Sequence, residues 1–115
     1  MTGSVSSNFG LNTEDFYRLS QLEEAVFLAI RKAKITLCEY LTFMCSFIGE
    51  NSAKFQSGYE SGINAENAFE MIEIEKHVGS HLAERAGEAS LYIEEFKKFL
   101  KLRGIKVNFR KTPLE

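Results

Sequence analysis

Residues 19–49 read "LSQLEEAVFLAIRKAKITLCEYLTFMCSFIG" and hold more apolar surface than one helix face can carry. At about 100° per residue, Leu19, Leu22, Val26, Ile30, Ala33, Leu37, Tyr40, Leu41, Met44, Phe47 and Ile48 form one continuous stripe. Phe16, Phe27, Cys38 and Cys45 widen one flank, and Ala25 and Phe43 the other. Leu28 and Ile35 stand almost opposite. One partner helix covers only part of such an arc. Each Leu- or Phe-class side chain left in water forfeits about 1.5–3 kcal/mol, against a total domain stability of about 5–15 kcal/mol. The pattern therefore predicts an all-α fold: a long antiparallel two-helix hairpin that dimerises into a four-helix bundle.

Working outward, Thr13 reads as an N-cap with Glu14 and Asp15 in the first turn, where the helix dipole favours anions. Gly49 ends this helix as a left-handed closing glycine. Ser20 and Glu23 have capping-box spacing, which marks a start or bend there. The loop "GENSAKFQSGYESGI" has room for one helical turn around Ala53–Gln56. Asn64 then caps a second helix that Gly104 follows. The expected organisation is a flexible segment 1–12, a hairpin 13–104 and a basic tail 105–115. Within the hairpin, helices at about 13–48 and 64–103 flank the loop 49–63. "IKVNF" (105–109) alternates apolar and polar residues, as a short extended arm does.

The second helix has a narrower apolar face, from Ala68, Phe69, Met71 and Ile72 through Val78 and Leu82 to Ile93, Phe96 and Leu100. Gly79, Ala83 and Gly87 keep its middle small, and interior glycine costs about 1 kcal/mol against alanine, so a packing reason is expected. The oligomer interface is accordingly assigned to Phe27, Leu28, Ile35 and Phe43 on the first helix and to Gly79, Ala83 and Gly87 on the second.

A chain of 115 residues with 44% apolar and 26% charged content is one ordinary globular domain. Its single proline, Pro113, leaves residues 11–112 open to helix. The start "MTGSVSSNFG" lacks the basic and apolar regions of a secretory signal. The most apolar run, residues 35–49, contains Glu39 and is too short to span a bilayer. Cys38 and Cys45 read as reduced, inert packing residues. The expectation is a cytoplasmic protein without a transmembrane segment.

His77 and His81, four apart, raise the question of a metal site with Glu73 or Glu84 as further ligands. They share an arc with Glu66, Glu70, Glu88 and Glu95, opposite the apolar face, which reads as a solvated stripe. Ferritin-like di-iron bundles use Glu-x-x-His on inward faces. Here Glu73 and His77 are one residue too far apart for that motif. No phosphate-binding glycine loop or nucleophile elbow is present. No catalytic residue, metal site or cofactor is assigned, and the chain is read as a non-enzyme.

Charge is unevenly placed. Residues 1–96 hold 15 acids and 7 bases, whereas 97–111 hold 7 bases and no acid. Lys97, Lys98, Lys101 and Arg103 complement the helix C-terminus. Lys106, Arg110 and Lys111 lie beyond it and suit an electrostatic contact with the acidic face of a neighbouring copy. The functional expectation is a self-associating structural or adaptor protein, working through helix–helix contacts and this basic arm. Its partner is itself, with another helical protein as an option. Metal binding through Glu73, His77, His81 and Glu84 ranks second. A nucleic-acid accessory role of the basic tail, or binding to a membrane surface, ranks third.

Overall fold

In the computed structural model, which describes residues 12–55, 59, 62–85 and 87–110, Asn12 rather than Thr13 caps the first helix. Its Oδ1 accepts the Asp15 backbone N–H at 2.7 Å, and α1 runs Thr13–Arg31. The helix ends well short of Gly49. Ala33 adopts a left-handed φ of 60°, and the Lys34 backbone N–H closes on the Ala29 carbonyl at 2.9 Å. Glycine usually completes such a closure. Thr36 then caps α2, Leu37–Ile48. Its Oγ1 accepts the Glu39 N–H at 3.1 Å, while Glu39 Oε1 accepts the Thr36 N–H at 2.9 Å. This reciprocal pair satisfies two donors that a helix start leaves open. Gly49, at φ 77°, closes α2 as its position suggested.

Past a 3-10 turn at Ala53–Phe55, which buries Phe55, Asn64 caps α3, Ala65–Glu84. Gly87, at φ 93°, then starts α4, Glu88–Lys101. Each of the two expected rods, 13–48 and 64–103, is therefore two helices. The Thr36 capping box at the first break and the left-handed Gly87 at the second override the apolar periodicity that runs through both. No strand occurs among the described residues.

α1 packs on α4 and α2 on α3, within overall dimensions of 45 × 27 × 24 Å. Aromatic side chains join α2 to α4. Phe43 stacks on Phe99 at 4.8 Å between ring centres and on Tyr92 at 5.6 Å. Phe27 meets Tyr40 edge-on at 6.1 Å. Such pairs contribute about 0.5–1.5 kcal/mol each beyond their buried area. Ile35, in the turn between α1 and α2, is only 2% exposed. Phe27, Ile35 and Phe43, assigned from sequence to an oligomer interface, thus pack within their own chain, because the break at 32–36 lets α2 change direction. Gly79 is buried as well. Leu28 and Ala83 stay exposed, and Gly87 serves conformation, since a Cβ there would meet nothing within 4 Å.

The buried stripe of α3 runs Met71, Ile74, Val78 and Leu82. Phe69 and Ile72, expected inside, are 76% and 44% exposed. The buried stripe of α3 excludes these two side chains although they flank Met71 in sequence.

Residues 105–110 form the expected extended arm, and it lies on the chain's own body. Gln21 Oε1 accepts the Arg110 backbone N–H at 2.7 Å, and Gln21 Nε2 donates to the Arg110 carbonyl at 3.3 Å. Ile105, Val107 and Phe109 are half-buried against the core. The expected flexible segment 1–12, apart from Asn12, lies outside the described residues, as does Lys111.

A left-handed alanine costs about 1–2 kcal/mol, while glycine costs roughly 0.5–1 kcal/mol in unfolded-state entropy. Ala33→Gly is therefore expected to raise unfolding stability by about 0.5–1 kcal/mol, read as an increased urea midpoint at constant slope. A lower midpoint would contradict the strain assigned to Ala33.

Candidate functional site

All four helices contribute to one cavity of about 250 Å³. Leu19, Met44, Ile72, Val78 and Leu82 supply apolar walls, and Tyr92 of α4 closes one side. Two carboxylates open into it, Glu23 from α1 and Glu75 from α3. Lys76, exposed, stands at its edge.

The Tyr40 hydroxyl donates to Glu75 Oε2 at 2.9 Å. Burial raises the Glu75 carboxyl above its usual range, and this hydrogen bond partly offsets the rise. Glu23 has no such help. Burial, reinforced by repulsion from Glu75, lifts it from 4.5 to about 7. The Tyr40 and Tyr92 phenols are pushed well above their ordinary values, first by burial and then by neighbouring negative charge. Loss of hydration disfavours every charged form here, which is the common cause.

The residues singled out as metal candidates do not converge. His77 Nδ1 lies 3.3 Å from Glu50 Oε2, on an exposed surface. His81 turns to the α3–α4 corner, its Nε2 2.7 Å from Glu88 Oε1 and its Nδ1 3.3 Å from Arg85 Nη1. A guanidinium only donates, so Nδ1 accepts and Nε2 carries the proton toward Glu88. Glu73 and Glu84 are exposed. Among the described residues no three His, Cys, Asp or Glu side chains group to hold a metal ion. Cys45 is buried, which raises its thiol pKa.

The basic residues divide into two sets. Arg103 lies over the Phe99 ring at 3.9 Å and reaches Glu39 Oε2 at 3.4 Å. Arg110 lies 3.5 Å from Glu24, and Lys97 sits 5.2 Å from the Phe109 ring centre. Lys98, Lys101 and Lys106 are exposed and make no ion pair among the described residues. No helix among those residues is long and apolar enough to cross a membrane.

Compared with protein-family models, curated proteins and solved structures, the chain matches none.

Sequence reading missed this cavity because Glu23 also fits a capping box and Glu75 stands in sequence between Glu73 and His77 of the acidic stripe. Phase could have found both. Glu23 lies four after Leu19 and three before Val26, and Glu75 four after Met71 and three before Val78. A charge in step with the apolar positions on either side of it faces inward.

The sign of the resulting pH dependence follows from the raised carboxyls. Between 4.5 and about 7 the folded chain binds more protons at Glu23 than the unfolded chain. This group's contribution is therefore full below 4.5 and is lost as pH rises through about 7. Glu75 acts in the same direction. Glu23→Gln should match the parent in acid and exceed it by about 2 kcal/mol in mildly alkaline buffer, measured by urea unfolding across pH. A variant less stable than the parent in alkali would refute the assignment.

Proposed function

We propose that the chain is a non-catalytic helical interaction module that associates head to tail with further copies of itself. One observation carries this reading. Two of its large apolar side chains, Phe69 and Leu102, are each 76% exposed, and they are rimmed by opposite charge. Phe69 on α3 has Glu66 and Glu73 three before and four after it. Leu102, at the end of α4, has exposed Lys98 and Lys101 before it and Lys106 beyond.

A contact between an acid-rimmed phenylalanine and a base-rimmed leucine uses different patches on the two molecules. Such contacts close into rings or continue as filaments. Charge of opposite sign brings the patches together and fixes their register. The arm's apolar side is occupied within its own chain, so Lys106 is what it offers a neighbour. Burying one phenylalanine and one leucine supplies about 3–6 kcal/mol before the cost of association. Binding is correspondingly weak and falls as salt screens the rim. A different helical protein with a base-rimmed leucine would dock on α3 in the same way.

Sedimentation equilibrium over a concentration series, at low and high salt, tests the proposal. Average mass should rise with concentration at low salt. Phe69→Ser or Leu102→Ser should each weaken association by about tenfold or more, in line with the loss of one buried apolar side chain. A strict monomer at high concentration and low salt sinks the reading.

A further inference from the structure

We infer that the cavity bounded by Glu23, Glu75 and Tyr92 is a binding site for a primary ammonium group carried on a short apolar stem. Donors and acceptors match in number. An ammonium presents three N–H donors. The cavity offers the Glu23 carboxylate, the Glu75 oxygen left after Tyr40 has donated to the other, and the Tyr92 hydroxyl.

The tyrosine is the independent sign of a ligand. Tyr92 is 2% exposed and lines the cavity, yet its hydroxyl has no hydrogen-bond partner among the described residues. No fully enclosed side-chain nitrogen or oxygen lacks a partner among the described residues, so this hydroxyl is open to the cavity, where a ligand or water completes its hydrogen bonding. Glu23, largely buried, is likewise without a hydrogen-bond donor or cation among them. Once ionised, the acids from these two helices therefore stand in an apolar chamber with no countercharge inside among the described residues, an arrangement that costs stability until a cation enters. Lys76 does not supply it, since it is exposed and pairs with neither acid.

The walls select the kind of cation. A calcium or magnesium ion takes about six or more oxygen ligands and zinc about four from nitrogen, sulfur or oxygen. Here no three His, Cys, Asp or Glu side chains group among the described residues, and five aliphatic or thioether side chains occupy the remaining surface. Leu19, Met44, Ile72, Val78 and Leu82 instead suit the methylene groups of a stem. The volume of about 250 Å³ falls below the roughly 300–1,000 Å³ typical of larger ligands, so the stem is short. The same chemistry could arrive as a free alkylamine or as a lysine side chain of another protein.

Isothermal titration calorimetry of the full chain in mildly alkaline buffer tests the inference, with n-butylamine, N-acetyl-lysine methylamide and n-butanol as probes. At least one ammonium probe should bind about tenfold tighter than butanol. Glu23→Gln and Glu75→Gln should each remove that preference while leaving butanol binding in place, which also reports that the cavity has kept its form. In near-neutral buffer, amine binding should release a proton from the acid pair, seen as heat that varies with the buffer's ionisation enthalpy. Butylamine binding with exclusion of the capped lysine assigns the site to a free amine. The reverse assigns it to a lysine side chain, and either result upholds an ammonium site. Binding of neither, butanol equal to the amines, or an unchanged preference in both glutamine variants overturns it. So does displacement of bound amine by stoichiometric zinc chloride.

Discussion

Thr36 and Glu39 exchange two hydrogen bonds across the start of α2, and Ala33 closes the end of α1 just before them. Together they turn the chain where its apolar pattern would have carried a helix straight on. The turn sends α2 in its own direction. Phe43 and Phe47 can then meet Tyr92, Phe96 and Phe99 of α4, and Ile35 is tucked beneath the turn itself. Four helices from one chain cover the wide apolar arc that two straight rods would have left wet. Without the break, most of this aromatic contact is lost, and so is the meeting of four helices around the cavity.

The same geometry explains why charge ends up inside. Glu23 and Glu75 share phase with the buried stripes of α1 and α3, so packing those stripes carries the acids inward. Tyr40 compensates one of them. The other is left in an apolar chamber where its proton is held until the surroundings become neutral. The outer surface follows a different logic. Its acids on α3 and its exposed lysines on α4 and the arm, which make no ion pair among the described residues, lie on different elements, and each set neighbours an exposed apolar side chain in sequence.

All-helical character, the end of α2 at Gly49 and the start of α3 at Asn64 were legible in the sequence, because cap residues and apolar phase agree there. The breaks were legible only in part. Thr36-x-x-Glu39 has the same capping pattern as Ser20-x-x-Glu23, and the pattern alone does not choose between them. The structure gives Ser20 Oγ to the Phe16 carbonyl at 2.9 Å and leaves Glu23 for the cavity. Ala33 gave no warning, since alanine is the residue best suited to continuing a helix. Gly79 and Gly87 look alike in sequence, yet Gly79 stays helical and Gly87 makes the corner. Phe69 and Ile72 read as core by residue type, yet the stripe through Met71, Ile74, Val78 and Leu82 leaves both outside. Of the candidate contact residues, Leu28 and Ala83 remain on the surface, while Phe27, Ile35 and Phe43 pack within the chain.

The clasp between Gln21 and Arg110 joins positions 89 apart in the chain. Helical bundles usually fold quickly because most of their contacts are local, and contacts this distant delay closure. α1 packs chiefly on α4, so the earlier of these two helices to be synthesised waits for the later. Until α4 and the arm have left the ribosome, the apolar stripe of residues 19–30 lacks its main cover.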